Sequence, residues 1–194
     1  MSVDSSISCG SCHAPELAFS DDKAFSPGVE NRPGVRNSPT LANVAYHPYL
    51  LREGGVPTLE MQVLVPIQEH NEFDFNIVKL AEQLTDLPTY VEMSETAYNR
   101  LPDPFVITRS LATFERSLLS GNSRFDQFNN GDDFTALSEK EQAGKELFFG
   151  NKTNCSKCHG GFNFTNYSFE NNGLYDEYAD SGRLRHTKDS SDLA

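Results

Sequence analysis

The stretch SCGSCH at residues 8–13 sets two cysteines two residues apart with a histidine directly after the second, and NCSKCH at residues 154–159 repeats the form. All four cysteines of the 194-residue chain lie in these two motifs, so none is left over for a structural disulfide. Two C-x-x-C pairs could build one zinc site, but the pairs of a zinc ribbon usually stand about 15–20 residues apart and these are separated by most of the chain. A redox dithiol would want a βαβ setting, and no strand pattern surrounds either motif. The histidines point elsewhere. The chain has five in all, and one follows each pair. In C-x-x-C-H the two thiols add across the vinyl groups of a haem, and the adjoining imidazole becomes the iron's proximal ligand. Cys9, Cys12 and His13 are therefore expected to hold one c-type haem, and Cys155, Cys158 and His159 a second, with His13 and His159 on the irons. Attachment of this kind takes place outside the cytoplasm. A periplasmic location is expected, although MSVDSSIS has neither the basic nor the apolar region of a signal peptide, so the export signal is expected to be missing from this chain.

The rest of the chain reads as mainly α, with long loops. Residues 14–57 are punctuated by Pro, Gly, Asn and Ser and carry no long helical period. Thr58 is a candidate N-cap before LEMQVLV. Residues 75–84 place Phe75, Val78 and Leu84 at helical intervals. In PFVITRSLATFERSLLSG, Ile107, Leu111, Phe114 and Leu118 form one stripe between Pro104 and Gly121. The polar stretch FNNGDDFTA suggests a boundary, giving domains over 1–130 and 131–194. The second opens with a capping box, Ser138 with Glu141, ahead of EKEQAGKELFF. Loops this long need something large to organise them, and a buried cofactor would serve. A net charge of −12 repels nucleic acid and anionic membranes and suits a partner with a basic face.

Across nearly its whole length the sequence resembles the bacterial dihaem cytochrome c peroxidases, within the wider family that includes the dihaem enzyme maturing methylamine dehydrogenase. The resemblance runs through ISCGSCHAPELAFSD, RNSPTLANVAYHP, GGVPTLEMQVLVPI, FVITRSLATFERSLLSGNSRFDQF and LSEKEQAGKELFF, then CSKCHGGFNFTN. It implies two cytochrome c-like domains, the second incomplete here, with a peroxidatic haem in the first and a high-potential haem that receives electrons in the second. The implied reaction reduces hydrogen peroxide with electrons from a small cytochrome c or a blue copper protein, and a homodimer is compatible with it. Gln62, Pro66, Ile67, Glu72 and Phe73 match the family's Q-x-x-x-P-[IV]-x-x-x-x-E-[MF] block, which carries active-site roles onto Glu72 and Gln62. Asn37, in the RN-x-PT block, falls where the family supplies a calcium ligand.

The sequence departs from that pattern in three places. Val29 stands where a removable distal histidine is usual, which leaves His47 and His70 as alternative sixth ligands. The chain has no Trp, and REGG (Arg52 to Gly55) replaces the usual WDGR, so Tyr46 and Tyr49 become candidates for the path between haems. None of Met1, Met61 and Met93 lies where the second haem's distal ligand is expected, and His186 is the substitute. The chain is thus expected to be a fragment. Two other functions compete with the peroxidase: a dihaem electron carrier without chemistry of its own, and a dihaem oxidase acting on a protein substrate.

Overall fold

The structure, a computed structural model, describes residues 2–131, 133–171 and 173–193. Among the described residues eight α-helices follow in order: α1 (Leu59–Gln62), α2 (Leu64–Gln68), α3 (Ile77–Thr85), α4 (Pro88–Tyr98), α5 (Pro104–Ser117), α6 (Arg124–Asn130), α7 (Glu139–Phe149) and α8 (Leu184–Thr187). The described residues contain no strands beyond three isolated bridges, Ala14 to Ser20, Pro27 to Pro33 and Leu50 to Val56, each of which closes a loop. The architecture is mainly α with long loops, as the sequence predicts.

The chain divides into two compact units, Met1–Leu118 together with Ala179–Leu193, and Leu119–Tyr178. The division lies earlier than the 130/131 boundary read from the sequence. The physical reason is α6, which pairs with α7 rather than with what precedes it. Arg124 binds both carboxylate oxygens of Glu141 at 2.7 Å, and Phe125 stacks on Phe149 with ring centroids 6.1 Å apart.

In the first unit, Thr58 caps α1 by accepting from the Met61 amide, and Asp103 caps α5 by accepting from Val106. Pro66 splits what would otherwise be one helix into α1 and α2. It has no N–H to offer the Gln62 carbonyl, so the ladder fails at that step. The helices bury two apolar clusters. One holds Val63, Ile67, Phe73, Ile77, Ala81 and Ile107; the other holds Val44, Leu50, Val56, Leu59 and Ala112. α5 contributes to both, through Ile107 and Ala112, and is the element on which α1 and α3 converge. Arg116 ties α5 to α1 by binding both oxygens of Glu60 at 2.8 and 3.0 Å.

The segment Ala179–Leu193 is held in this unit by charge. Arg36 binds Asp180 at 2.6 and 2.7 Å, and Glu53 receives Arg36, Arg185 at 2.7 Å and His186 at 3.2 Å. Burial works to raise the Glu53 carboxyl, but His186, Arg36 and Arg185 together bring it below its ordinary value. Gly55 lies close to His186, and a Cβ there would stand 2.6 Å from the His186 ring, which would have to shift. His186 is paired with Glu53 in this unit.

The second unit is smaller. Ser123 and Ser138 each form a capping box, with Asp126 and Glu141 respectively. Phe125, Phe148, Phe149 and Phe164 form a ring cluster, with the Phe125 and Phe164 centroids 5.0 Å apart. Lys145 lies 4.9 Å over the Phe128 ring. The boundary stretch includes Asp132, which lies outside the described residues, as does Met1.

Because Ile107 anchors the first cluster from α5, Ile107→Ala should lower the unfolding free energy by about 2–5 kcal/mol, the range for a large-to-small change in a packed core. Urea denaturation of parent and variant measures the difference directly.

Candidate functional site

The first cysteine motif is a tight turn. Cys9–Ser11 form one 3₁₀ turn, and the amides of Cys12 and His13 both donate to the Cys9 carbonyl, at 3.2 and 2.9 Å. That turn places Cys9, Cys12 and His13 in one short loop. Behind the histidine, Ala18 and Phe19 are both left-handed, with φ of 54° and 59°. Two adjacent non-glycine residues in that region cost about 1–2 kcal/mol each. The return is that the Phe19 carbonyl comes to 2.8 Å from Nδ1 of His13. A carbonyl can only accept, so Nδ1 carries the proton and Nε2 keeps a lone pair for a metal. Ser38, itself buried, places its hydroxyl 3.2 and 3.3 Å from the two ring nitrogens.

Cys9 is exposed and Cys12 partly so, yet burial is the largest influence on each and pushes both thiols up. Asp21 and Glu72 push Cys12 further, and Glu115 acts on Cys9 in the same sense. A redox dithiol requires the opposite, a thiol pushed down toward thiolate. Among the described residues no group of three or more His, Cys, Asp or Glu is placed to hold a metal ion. A cofactor that takes both sulfurs as thioethers needs neither thiolates nor a third cysteine. Two cysteines on one tight turn followed by an oriented imidazole therefore fit a covalently held haem.

Glu72 is brought to this site by a neighbouring loop. The Val29 amide donates to the Glu72 carbonyl at 2.8 Å, and Val29 is fully buried. The loop before it lies against Cys12, whose Sγ is 3.9 Å from the Pro27 carbonyl. Burial raises the Glu72 carboxyl, and Glu69 adds to the effect. Gln62 is half-buried at the break between α1 and α2.

Other expected residues have different roles. The Asn37 side-chain amide donates to Asp21 at 2.6 Å and to the Lys23 carbonyl at 2.9 Å, while its carbonyl accepts from Arg52 at 2.8 Å. An oxygen facing a guanidinium does not suit a calcium ion, so Asn37 is a loop strap here. His70 is largely exposed and bound among Arg32 and Asp74. His47 is partly buried, and that burial lowers it. Tyr46 and Tyr49 are both exposed.

The second motif has the same turn, with the His159 amide on the Cys155 carbonyl at 2.9 Å. It follows α7, and Phe125, Phe148, Phe149 and Phe164 supply apolar rings in the same unit.

Sequence reasoning missed Glu115. It stands four residues after Leu111, next to the apolar stripe of α5. A carboxyl at that position was the available signal.

A family model for di-haem cytochrome c peroxidases matches residues 1–134. The chain belongs to that family. Membership implies haem c as the cofactor. The chain is 32% identical over 173 residues to methylamine utilization protein MauG of Methylophilus methylotrophus, covering 87% of this chain and 50% of that protein. It is 32% identical over 204 residues to the cytochrome c peroxidase Ccp of Escherichia coli, covering 99% of this chain and 42% of that one. The chain thus spans half or less of the length of these relatives. Among solved structures, a MauG-like protein associated with microbial copper homeostasis matches with a TM-score of 0.86 at 26% identity, over 99% of this chain and 62% of that one. The diheme peroxidase BthA of Burkholderia thailandensis shares the fold, with a TM-score of 0.75 at 20% identity over 94% of this chain and 55% of that one.

The seating of Glu72 depends on Gly28, where a Cβ would stand 1.9 Å from the Asn71 carbonyl oxygen. Gly28→Ala should therefore destabilise the chain by about 1–3 kcal/mol, as overpacking does. Gly121→Ala, where a Cβ would meet nothing within 4 Å, should stay within about 0.5 kcal/mol of the parent in the same denaturation series.

Proposed function

We propose that the chain is the peroxide-reducing part of a dihaem c-type cytochrome peroxidase. It carries one haem on Cys9, Cys12 and His13 and another on Cys155, Cys158 and His159. The observation that carries this reading is the pairing of an oriented His13, its Nδ1 fixed 2.8 Å from Phe19, with a partly buried carboxyl, Glu72, that acts on the neighbouring Cys12. An electron carrier needs the first and has no use for the second.

The bound haem supplies a redox centre that can accept peroxide and deliver electrons to it. The overall change is hydrogen peroxide plus two electrons and two protons to two waters, and the protons are the protein's task. Glu72 is suited to move them, because a carboxyl raised by burial lies closer to neutrality in proton affinity than an exposed one. It removes a proton from the attacking oxygen and returns one to the departing oxygen. The Gln62 amide orients the substrate by donating to it. Val29, apolar and wholly buried, offers the first site no ligand of its own.

The electrons come from a small cytochrome c or a blue copper protein, docked through a basic face against this acidic chain. Maturation with haem places the protein in the periplasm.

Glu72→Gln keeps the shape of the side chain and removes its proton affinity. In the haem-loaded protein it should lower peroxide turnover with a reduced cytochrome c donor by about 10²–10⁴-fold while haem content stays at the parent level. Turnover within a few-fold of the parent would assign Glu72 a structural role and leave the proton transfer to another group.

A further inference from the structure

Between the α1–α2 segment and the first turns of α5 lies an open cavity of about 430 Å³, lined by no residue assigned to haem or peroxide. Its wall is mainly apolar, with Met61 and Leu64 from one side and Pro104 and Phe105 from the other. Met61 and Phe105 are both large apolar side chains left exposed. Arg109 completes the lining with a cation. Among the described residues Arg109 forms no ion pair, whereas the arginines before and after it in the sequence, Arg100 and Arg116, are taken by Asp103 and Glu60. The Arg109 guanidinium carbon lies 4.3 Å from the centroid of the Phe105 ring, and its Nη1 has the Thr108 hydroxyl at 3.5 Å. The ring anchors the charge but offers its N–H groups no oxygen. In a chain of net charge −12, a shortage of carboxylates does not explain an arginine without one. Glu60 also lines the cavity, but Arg116 holds both its oxygens at 2.8 and 3.0 Å, and Arg109 acts on it from beyond ion-pair distance. Thr58 accepts from the Met61 amide at 3.3 Å, so its hydroxyl proton is available to an anion in the cavity.

We propose that this cavity binds a small aromatic monocarboxylate. The carboxylate takes N–H groups of Arg109 in the planar, two-bond match that a guanidinium favours. The ring of the ligand lies against Met61, Leu64 and Phe105, where a thioether and an aromatic edge receive it well. A volume of this size is ordinary for a small-molecule site, and so is an apolar lining with a few polar groups that fix orientation. The charges narrow the class of ligand. One guanidinium balances one negative charge, and the Glu60 carboxylate nearby repels a second, so a phosphate ester suits the cavity less well. A ligand with no acidic group would leave the N–H groups of Arg109 without an oxygen.

The test is titration calorimetry of the matured protein with naphthaleneacetate, and with naphthaleneacetamide as the uncharged probe of the same shape. The acid should bind saturably, one per chain, without moving the haem absorption bands, and the amide should bind at least about tenfold more weakly. Arg109→Gln should weaken the acid by about tenfold to a hundredfold, the weight of one or two charge-assisted hydrogen bonds, and bring acid and amide to the same affinity. Met61→Ala should weaken acid and amide by a similar factor, because it removes wall and no charge. Arg109 is exposed, so its replacement leaves the core intact. Should Arg109→Gln fail to fold, Arg109→Lys, which keeps the charge and loses the planar fork, should bind the acid more weakly than the parent. No saturable heat in the parent overturns the proposal, and so does equal affinity for acid and amide. Parent-like binding of the acid by Arg109→Gln or Arg109→Lys overturns it too. A shift of the haem bands on adding the acid would place the carboxylate on iron instead. A concentration-dependent dimer in sedimentation that Met61→Arg dissolves would give the face to a second copy of the chain, and either result overturns the proposal.

Discussion

A single backbone hydrogen bond, from the Val29 amide to the Glu72 carbonyl at 2.8 Å, joins the two loops from which the first site is built. One loop runs from Cys12 through Pro27 to Val29; the other joins α2 to α3 and carries Glu72. Gly28 allows the approach because a side chain there would strike Asn71. The burial of Val29 excludes water from the bond and keeps it strong. From that junction follow the desolvation of Glu72, its effect on Cys12 and the proton chemistry assigned to it. The His13 side of the site is fixed separately, by the left-handed pair Ala18 and Phe19.

How legible this was depends on the kind of signal. α5 could be read from its apolar stripe between Pro104 and Gly121, and α7 from its capping box. α4 escaped because PTYVEMSETAY buries only Ser94 and has no apolar stripe to detect. The break between α1 and α2 was written in Pro66, but its consequence, Gln62 at a helix end, needed the ladder to be traced. The cysteine motifs were plain in one dimension. What made them a site was not, since the Phe19 carbonyl, Ser38 and the Val29 bond are matters of backbone path. Asn37 shows the limit of carrying a role across by motif: the residue is present, but Arg52 occupies the oxygen that a calcium ion would need.

Charge shapes the rest of the first unit. Glu53, in the REGG stretch, is nearly buried and gathers Arg36, Arg185 and His186, while Asp180 takes the outer face of Arg36. The segment Ala179–Leu193 is held mainly by these ion pairs, not by apolar burial. A buried carboxylate surrounded by cations is costly to break by removing one partner, because the remaining charges stay desolvated. That accounts for an ordered segment in a stretch whose sequence offers no hydrophobic period.

The account stands on the two C-x-x-C-H motifs being haem attachment points. The most direct measurement is the intact mass of the matured protein, unfolded, reduced and treated with a thiol-alkylating reagent. Thioethers survive reduction and leave no thiol to alkylate, so the expected result is a chain heavier by two haems with none of its four cysteines modified. A chain at its unmodified mass with all four cysteines alkylated would contradict the account at its root.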